Sequence, residues 1–425
     1  MIGSSVSSSP AGVRDESAQP ARHIVIGITH PQTCLALTGR LRALREAGFR
    51  VTLISSPGEL LHRTAAREGV EAIGLPMRRD IAPFADLVSL IRLWRLLVRL
   101  KPDVAEFSTP KAGLLGTLAS WLAGVPARVY MLRGLKLETS RGMKRALLLA
   151  SERAASACAQ VVLCNSESMR FQALALGIAP ADKLHLLGDG SSNGVDVERF
   201  SPGKSAVRNR LGLPENAPVV GFVGRLTTDK GIPELIEAFD AILESKPEAR
   251  LLLVGWFDVA EDALEGRWRT RIANHSRIHC TGFVADTAPY YRAMDVMVLP
   301  SWREGFPNVV LEAAASGIPV ITTECTGSRN SVVPEVTGLL IPPGYPEAIS
   351  EAVLKLLHEP KQRERMGQAA RTWVCLHFPH ERVLQLAVSF YKGLVTPAPV
   401  AKTRMPLTSA AQGNALARWL YSRGS

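Results

Sequence analysis

The sequence predicts an α/β protein built from two Rossmann-like, doubly wound domains that face each other across a cleft. From Arg22 onward, short β-branched runs alternate with longer amphipathic segments, the pattern of a parallel sheet covered by helices on both faces. That rhythm breaks at GDGSSNGVDVERFSPG (188–203), which has the Gly, Ser, Asn and Asp content of a linker, and then restarts. A chain of 425 residues with a hydrophobic fraction of 46% exceeds one ordinary domain and suffices to bury two cores.

In the first series HIVIGIT (23–29) reads as a strand, TCLALTGRLRALREAG (33–48) as a helix stopped by Gly48, and RVTLISS (50–56) as the next strand. DVAEFS (103–108), ARVYMLR (127–133) and QVVLCN (160–165) continue it, each followed by a helical stretch. The second series offers strands at 219–224, 249–255, 277–283, 295–301 and 319–323, with helices near 231–245, 286–294, 307–316 and 346–358. A last strong helix follows at ERVLQLAVSFYKGL (381–394). The expected organisation is a disordered extension at 1–21, an acceptor-side domain at 22–190, a linker at 191–205 and a second domain at 206–378. A helix at 379–395 is expected to cross back to the first domain, before a flexible basic tail at 396–425.

The net charge of +11 calls for an anionic partner: nucleic acid, acidic lipid or a phosphate-bearing substrate. The six cysteines lack metal-finger spacing, and several sit in apolar runs, as reduced, buried thiols do. A Ser-rich start without an apolar core is unlike a signal peptide, and no stretch reaches the ~18 apolar residues of a membrane span. A cytoplasmic protein is expected.

The chemistry concentrates in PSWREGFPNVVLEAAASGIPVITT (300–323). A strand ends at Ser301, a loop carries Glu304 and Gly305, and Pro307 and Gly317 mark a helix start and stop. A helix N-terminus offers free N–H groups and a positive dipole end to phosphate. Glu312, one turn further in, can accept hydrogen bonds from a ribose diol, and Glu304 faces the loop where a sugar could lie. Isolated glutamates are usually just solvated charges, so the context matters. It comes from VVGFVGRLTTDKGI (219–232), where Gly224 lets the backbone approach a ligand and Arg225 and Lys230 can clamp a diphosphate.

Together these segments resemble glycosyltransferase family 4, the retaining enzymes of GT-B fold: EGFPNVVLE (304–312) has its ExxxxxxxE spacing, upstream of SGIPVI (316–321). The GRL…KG segment and NGVDVERF (193–200) match as well, and the resemblance spans roughly 22–395. It implies a retaining hexosyl- or N-acetylhexosaminyltransferase that uses a nucleotide-sugar donor, UDP-linked by expectation. Arg225 and Lys230 would neutralise the diphosphate, Glu312 would hold the ribose and Glu304 the transferred sugar. Gly224, Gly305, Phe306, Pro307, Asn308 and Val309 would line the donor pocket. No cofactor and no metal are implied, since the cations and helix end supply the electrostatics, and no Asp-x-Asp motif stands in a plausible place.

The first domain departs from the family. Where many relatives carry a histidine before glycine, this chain has Arg133-Gly134, and Glu106 and Ser108 occupy another place where histidines occur. A general-base histidine is therefore unsupported. LRGLKLETS (132–140) and SSNGVD (191–196) look closest to a bacterial branch acting in polysaccharide and lipid-linked oligosaccharide assembly. Lys111 and Arg133 are then candidates to meet an anionic, lipid-linked acceptor, with ordinary surface cations as the competing reading.

DLVSLIRLWRLLVRLKP (86–102) is a basic amphipathic helix with Arg92, Arg95 and Arg99 at helical spacing. It fits either a membrane interface or a Rossmann helix packing on its sheet. Met143-Lys144-Arg145 and ARWLYSRG (417–424) add to the first reading, peripheral contact with the inner face of the cytoplasmic membrane. Two rivals lack support: a dinucleotide-dependent oxidoreductase needs GxGxxG after a strand, and a nucleic-acid-binding protein needs a recognised module or aromatic-basic interleaving.

Overall fold

The computed structural model describes residues 21–395 except 79, 81 and 259–262. The extension and the basic tail considered above, apart from Ala21, lie outside the described residues. Among the described residues, thirteen strands form two all-parallel sheets. The first holds β1 (His23–Gly27), β2 (Arg50–Ser55), β3 (Glu71–Gly74), β4 (Val104–Ser108), β5 (Ala127–Leu132), β6 (Val161–Cys164) and β7 (Leu184–Leu186). The second holds β8 (Val219–Val223), β9 (Arg250–Val254), β10 (Ile278–Cys280), β11 (Val296–Leu299), β12 (Val320–Thr323) and β13 (Gly338–Ile341).

Strand order runs β3-β2-β1-β4-β5-β6-β7 in one sheet and β10-β9-β8-β11-β12-β13 in the other. Each order reverses once, between β1 and β4 and between β8 and β11, and such a reversal opens a crevice at the carboxyl ends of the two central strands. β1 buries Ile24 and Ile26 on one face and Val25 on the other, as a strand covered on both sides must. The second sheet anchors a single large core through Val220, Phe222, Leu252, Val298 and Ile321.

Several expectations needed correction. The helix expected at 33–48 is two pieces, a 3₁₀ segment Pro31–Leu37 and an α-helix Arg40–Glu46. They part at Gly39, whose φ is +76° and whose absent Cβ would fall 2.3 Å from His380 Nε2. The helix expected at 286–294 shrinks to Ala288–Tyr291, while an unforeseen 18-residue helix spans Pro360–His377. Burial holds for Cys34 and Cys164 but fails for the exposed Cys280; all six thiols are free.

The final helix, His380–Val395, packs on the first domain. Its Tyr391 is fully buried in the core made by Ile24, Leu41 and Val129. The chain thus passes between the domains twice, and the crossings are tied together. Val195 N–H donates to the Phe378 carbonyl and His380 N–H to the Val195 carbonyl, each at 2.9 Å.

Candidate active site

The carboxyl ends of β8 and β11 flank the crevice of the second sheet, and the charged residues gather there. Lys230 ends a 3₁₀ turn after β8, and its Nζ lies 2.6 Å from Glu304 Oε1 in the loop after β11. Ser301 Oγ donates to the same oxygen at 2.8 Å. The buried Asp229 ties the two loops, pairing with Arg303 at 2.9 Å while its carbonyl accepts from Trp302 N–H. Burial opposes ionisation of Asp229, but Arg303, Lys230 and Arg225 together hold its carboxyl below the usual range. Arg225 is held by Asp258, 2.6 Å away just past β9.

Glu312 sits apart from this cluster. It lies in the helix Asn308–Ala315 and accepts from Tyr291 Oη at 2.8 Å and Thr287 Oγ1 at 3.4 Å. Desolvation pushes its carboxyl up to about 7, and the Tyr291 hydrogen bond only partly opposes that. Pro307 caps this helix in extended conformation rather than occupying its first turn. Phe306 is buried against Phe378, with ring centroids 5.3 Å apart, and Val309 is half-buried.

Across the cleft the domains touch. A Cβ on Gly305 would stand 1.8 Å from the Arg133 carbonyl oxygen, so this contact requires glycine. Thr326 Oγ1 donates to Glu138 at 2.6 Å, Gly327 N–H to Ser168 Oγ at 2.9 Å, and Ser191 Oγ to Asn308 Oδ1 at 3.3 Å. Beside these contacts, Glu138 and Arg145 face Trp302 and Arg329 around a cavity of about 350 Å³. The cavity adjoins the Glu304 loop without including Lys230 or Arg225.

Of the two cations considered for the acceptor side, Lys111 points elsewhere: it pairs with Asp86 at 2.7 Å and donates to the Asp80 carbonyl. Arg133 is at the cleft, donating from Nη1 to Ser192 Oγ at 2.9 Å. Sequence reasoning missed Asp258, Asp229, Arg303 and Arg40. A strand-end acid after GWF could have flagged Asp258, whereas nothing local marks Arg40. Among the described residues no group of three or more His, Cys, Asp or Glu is placed to hold a metal ion.

Comparison with known proteins decides the family. The profile for "Glycosyl transferase 4-like domain" matches residues 37–190, and that for "Glycosyl transferases group 1" matches 203–373. The capsular polysaccharide biosynthesis glycosyltransferase CapM of Staphylococcus aureus is 34% identical over 86% of this chain and 95% of its own. The chain belongs to glycosyltransferase family 4. The Escherichia coli UDP-Gal:alpha-D-GlcNAc-diphosphoundecaprenol alpha-1,3-galactosyltransferase is 32% identical over 75% of this chain and 84% of its own. In fold, this glycosyltransferase resembles Anabaena HepE solved with UDP and glucose, with a TM-score of 0.70 at 20% identity over 87% of this chain and 99% of that one. The architecture is therefore GT-B, with the charged cluster lying on the cleft face of the second sheet.

Proposed function

We propose that the enzyme transfers a hexosyl or N-acetylhexosaminyl group, with retention, from a UDP-sugar to a polyprenyl-diphosphate-linked saccharide in surface polysaccharide assembly. The observation that carries this reading is the Lys230–Glu304 pair, with Arg225 nearby on Asp258, at the topological switch point of the second sheet. Both cations are already ordered by carboxylates. A diphosphate entering there exchanges one anionic partner for another, and it frees Glu304 to accept from the sugar hydroxyls. Glu312 then takes the ribose, and Gly224 and residues 305–309 line the pocket.

In the transfer step the bond from the anomeric carbon to the diphosphate oxygen breaks as the acceptor oxygen attacks on the same face. The acceptor proton passes to the leaving diphosphate oxygen. Arg225 and Lys230 stabilise the negative charge that grows there, which requires no metal and no histidine base. The diphosphoundecaprenol acceptor and UDP donor named for the E. coli relative support the substrate class. The test is a thermal-shift screen of nucleotide diphosphates, since a ligand bound only by the native state raises Tm by mass action. UDP should raise the Tm of the wild type, and Lys230→Ala should need at least about tenfold more UDP for the same shift. A wild type indifferent to every nucleotide diphosphate would sink the donor site. Transfer should also survive excess EDTA; loss on chelation with restoration by Mg²⁺ would overturn the metal-free step.

A lipid-linked acceptor would put the enzyme at the inner face of the cytoplasmic membrane. No helix among the described residues is long and apolar enough to cross a bilayer, and the contact we propose is peripheral. The helix Pro83–Leu100 supports it by satisfying both readings of its sequence. Leu93, Leu96 and Leu97 bury against the sheet, while Phe84, Leu87, Ile91, Trp94 and Val98 remain exposed beside Arg92, Arg95 and Arg99. On the helix Gly142–Cys158, Met143 and Leu147 are exposed next to Lys144 and Arg145.

A further inference from the structure

The crevice of the first sheet, between β1 and β4, holds a buried charge cluster that the donor chemistry leaves unused. Arg40 opens the short helix after β1 and is 1% exposed; Glu106 on β4 is fully buried. Arg40 Nη2 donates to Glu106 Oε2 at 2.5 Å and to Tyr391 Oη at 2.7 Å, and the Tyr391 hydroxyl donates to the same carboxylate oxygen. Arg133, one residue past β5, adds a second guanidinium to this group.

The charges do not balance. Two guanidiniums stand against one carboxylate, because burial and Glu106 keep the Tyr391 phenol protonated. Among the described residues, Glu106 is the carboxylate that favours the charged form of Arg133. Desolvation first, and the charge of Arg40 second, bring the Arg133 guanidinium down to about 10. Four buried donor atoms also lack partners: Nε and Nη1 of Arg40, and Nε and Nη2 of Arg133. A buried, uncompensated cation with orphaned N–H groups is a costly arrangement, and an anion completes it.

We propose that Arg40 and Arg133 together form a receptor for one phosphate group of the acceptor, on the side of the cleft opposite the donor clamp. Guanidinium forks match phosphate oxygens bidentately, which suits two arginines to one tetrahedral anion. A phosphate within a diphosphodiester carries a single negative charge, equal to the excess in the cluster. The donor's phosphates have cations of their own in Arg225 and Lys230. The Arg133 carbonyl meets Gly305, so the residue that carries this guanidinium borders the donor-sugar loop. The proposal rests on the transferase reading, and it extends it by naming Arg40 and the charge that the pair would bind.

The experiment uses inorganic phosphate as probe and Tm as readout, at constant ionic strength, with the wild-type chain first saturated with UDP. Phosphate should raise Tm further, because the two sites fill together. In Arg133→Met the phosphate shift should need at least a tenfold higher concentration, the ligand-free Tm should rise as the unpaired charge is removed, and the Kd for UDP should stay unchanged. Arg40→Lys should weaken the phosphate effect in the same way; if that variant does not fold, Arg133→Met decides alone. A phosphate shift abolished by UDP would mean that phosphate reads only the donor clamp, and it would overturn the proposal. So would a shift that persists in Arg133→Met, a fall in its ligand-free Tm, or a tenfold weakening of UDP binding. A wild type indifferent to UDP is a separate failure, that of the donor assignment, and leaves the phosphate arm readable against Arg133→Met without nucleotide.

Discussion

Glu312, proposed above to hold the ribose, also bears on stability. Its carboxyl sits near 7 in the native chain against an ordinary value of 4.5, so the folded state holds its proton over a range where the unfolded state has lost it. The sign follows: the residue is without penalty below about pH 4.5, costs stability as pH rises toward 7, and costs a constant amount above that. The full cost is on the order of 3 kcal/mol. Glu312→Gln should therefore have a higher Tm than wild type at pH 8 and an equal one at pH 4.5, while its transfer rate falls at least about tenfold. Glu152, also pushed up to about 7 by burial, titrates in both proteins and drops out of the comparison. Lys230→Ala should lose a similar factor in transfer, from one charged hydrogen bond of roughly 1.5–3 kcal/mol. Wild-type rates in both variants would remove these residues from the donor site. Arg225, Lys230, Glu304 and Glu312 could be picked out as candidates from the sequence because they stand in two short segments of fixed spacing, and the structure brings Lys230 to Glu304. Arg40 was not, since its meaning comes from Glu106, 66 positions away, and Tyr391, 351 positions away.

Among the elements, the helix Pro83–Leu100 has the clearest consequence. A helix packed on a sheet needs one apolar stripe, and this one has two, with the second exposed alongside three arginines. The enzyme should co-sediment with anionic vesicles at low salt and detach as ionic strength rises, each arginine contributing roughly 1 kcal/mol near an acidic surface. Replacing Leu87, Ile91 and Trp94 by serine should weaken binding at all salt concentrations, whereas replacing Arg92, Arg95 and Arg99 by glutamine should flatten the salt dependence. Folded triple variants that sediment like wild type would clear this helix of any membrane role. Element prediction worked where apolar periodicity was strong, as in β1, β4, β8 and β11. It failed at β3, a half-exposed edge, at β7, three residues long, and at β13, four residues at the edge of the second sheet. The helix Pro360–His377 escaped because it is mostly polar and buries little beyond Met366, Gly367, Ala370 and Val374. At 33–48 the local pattern was helical, but the tertiary contact of Gly39 with His380 overrode it.

For the whole molecule, the contact between Gly305 and Arg133 fixes how far the domains can close. Both partners are backbone, so an added methyl cannot be accommodated by a rotamer change. Gly305→Ala should hold the cleft open, with a larger radius of gyration in solution scattering, transfer reduced at least tenfold and UDP affinity retained. An unchanged radius with unchanged transfer would show that the closed contact is dispensable. The paired crossings at Val195 and Phe378–His380 restrict the motion further. One linker lets two bodies swivel and slide; two that are hydrogen-bonded side by side leave rotation about their common line.

The same return of the chain bears on biosynthesis. A ribosome delivers β1 through β7 long before Tyr391, and until that side chain arrives the Arg40–Glu106 pair lacks its phenol and the surrounding apolar core is open on one side. The first domain to emerge is thus the last to be completed, and protease resistance of nascent chains should appear in the second domain before the first. Release of a prematurely terminated chain would leave an unsealed amino-terminal half.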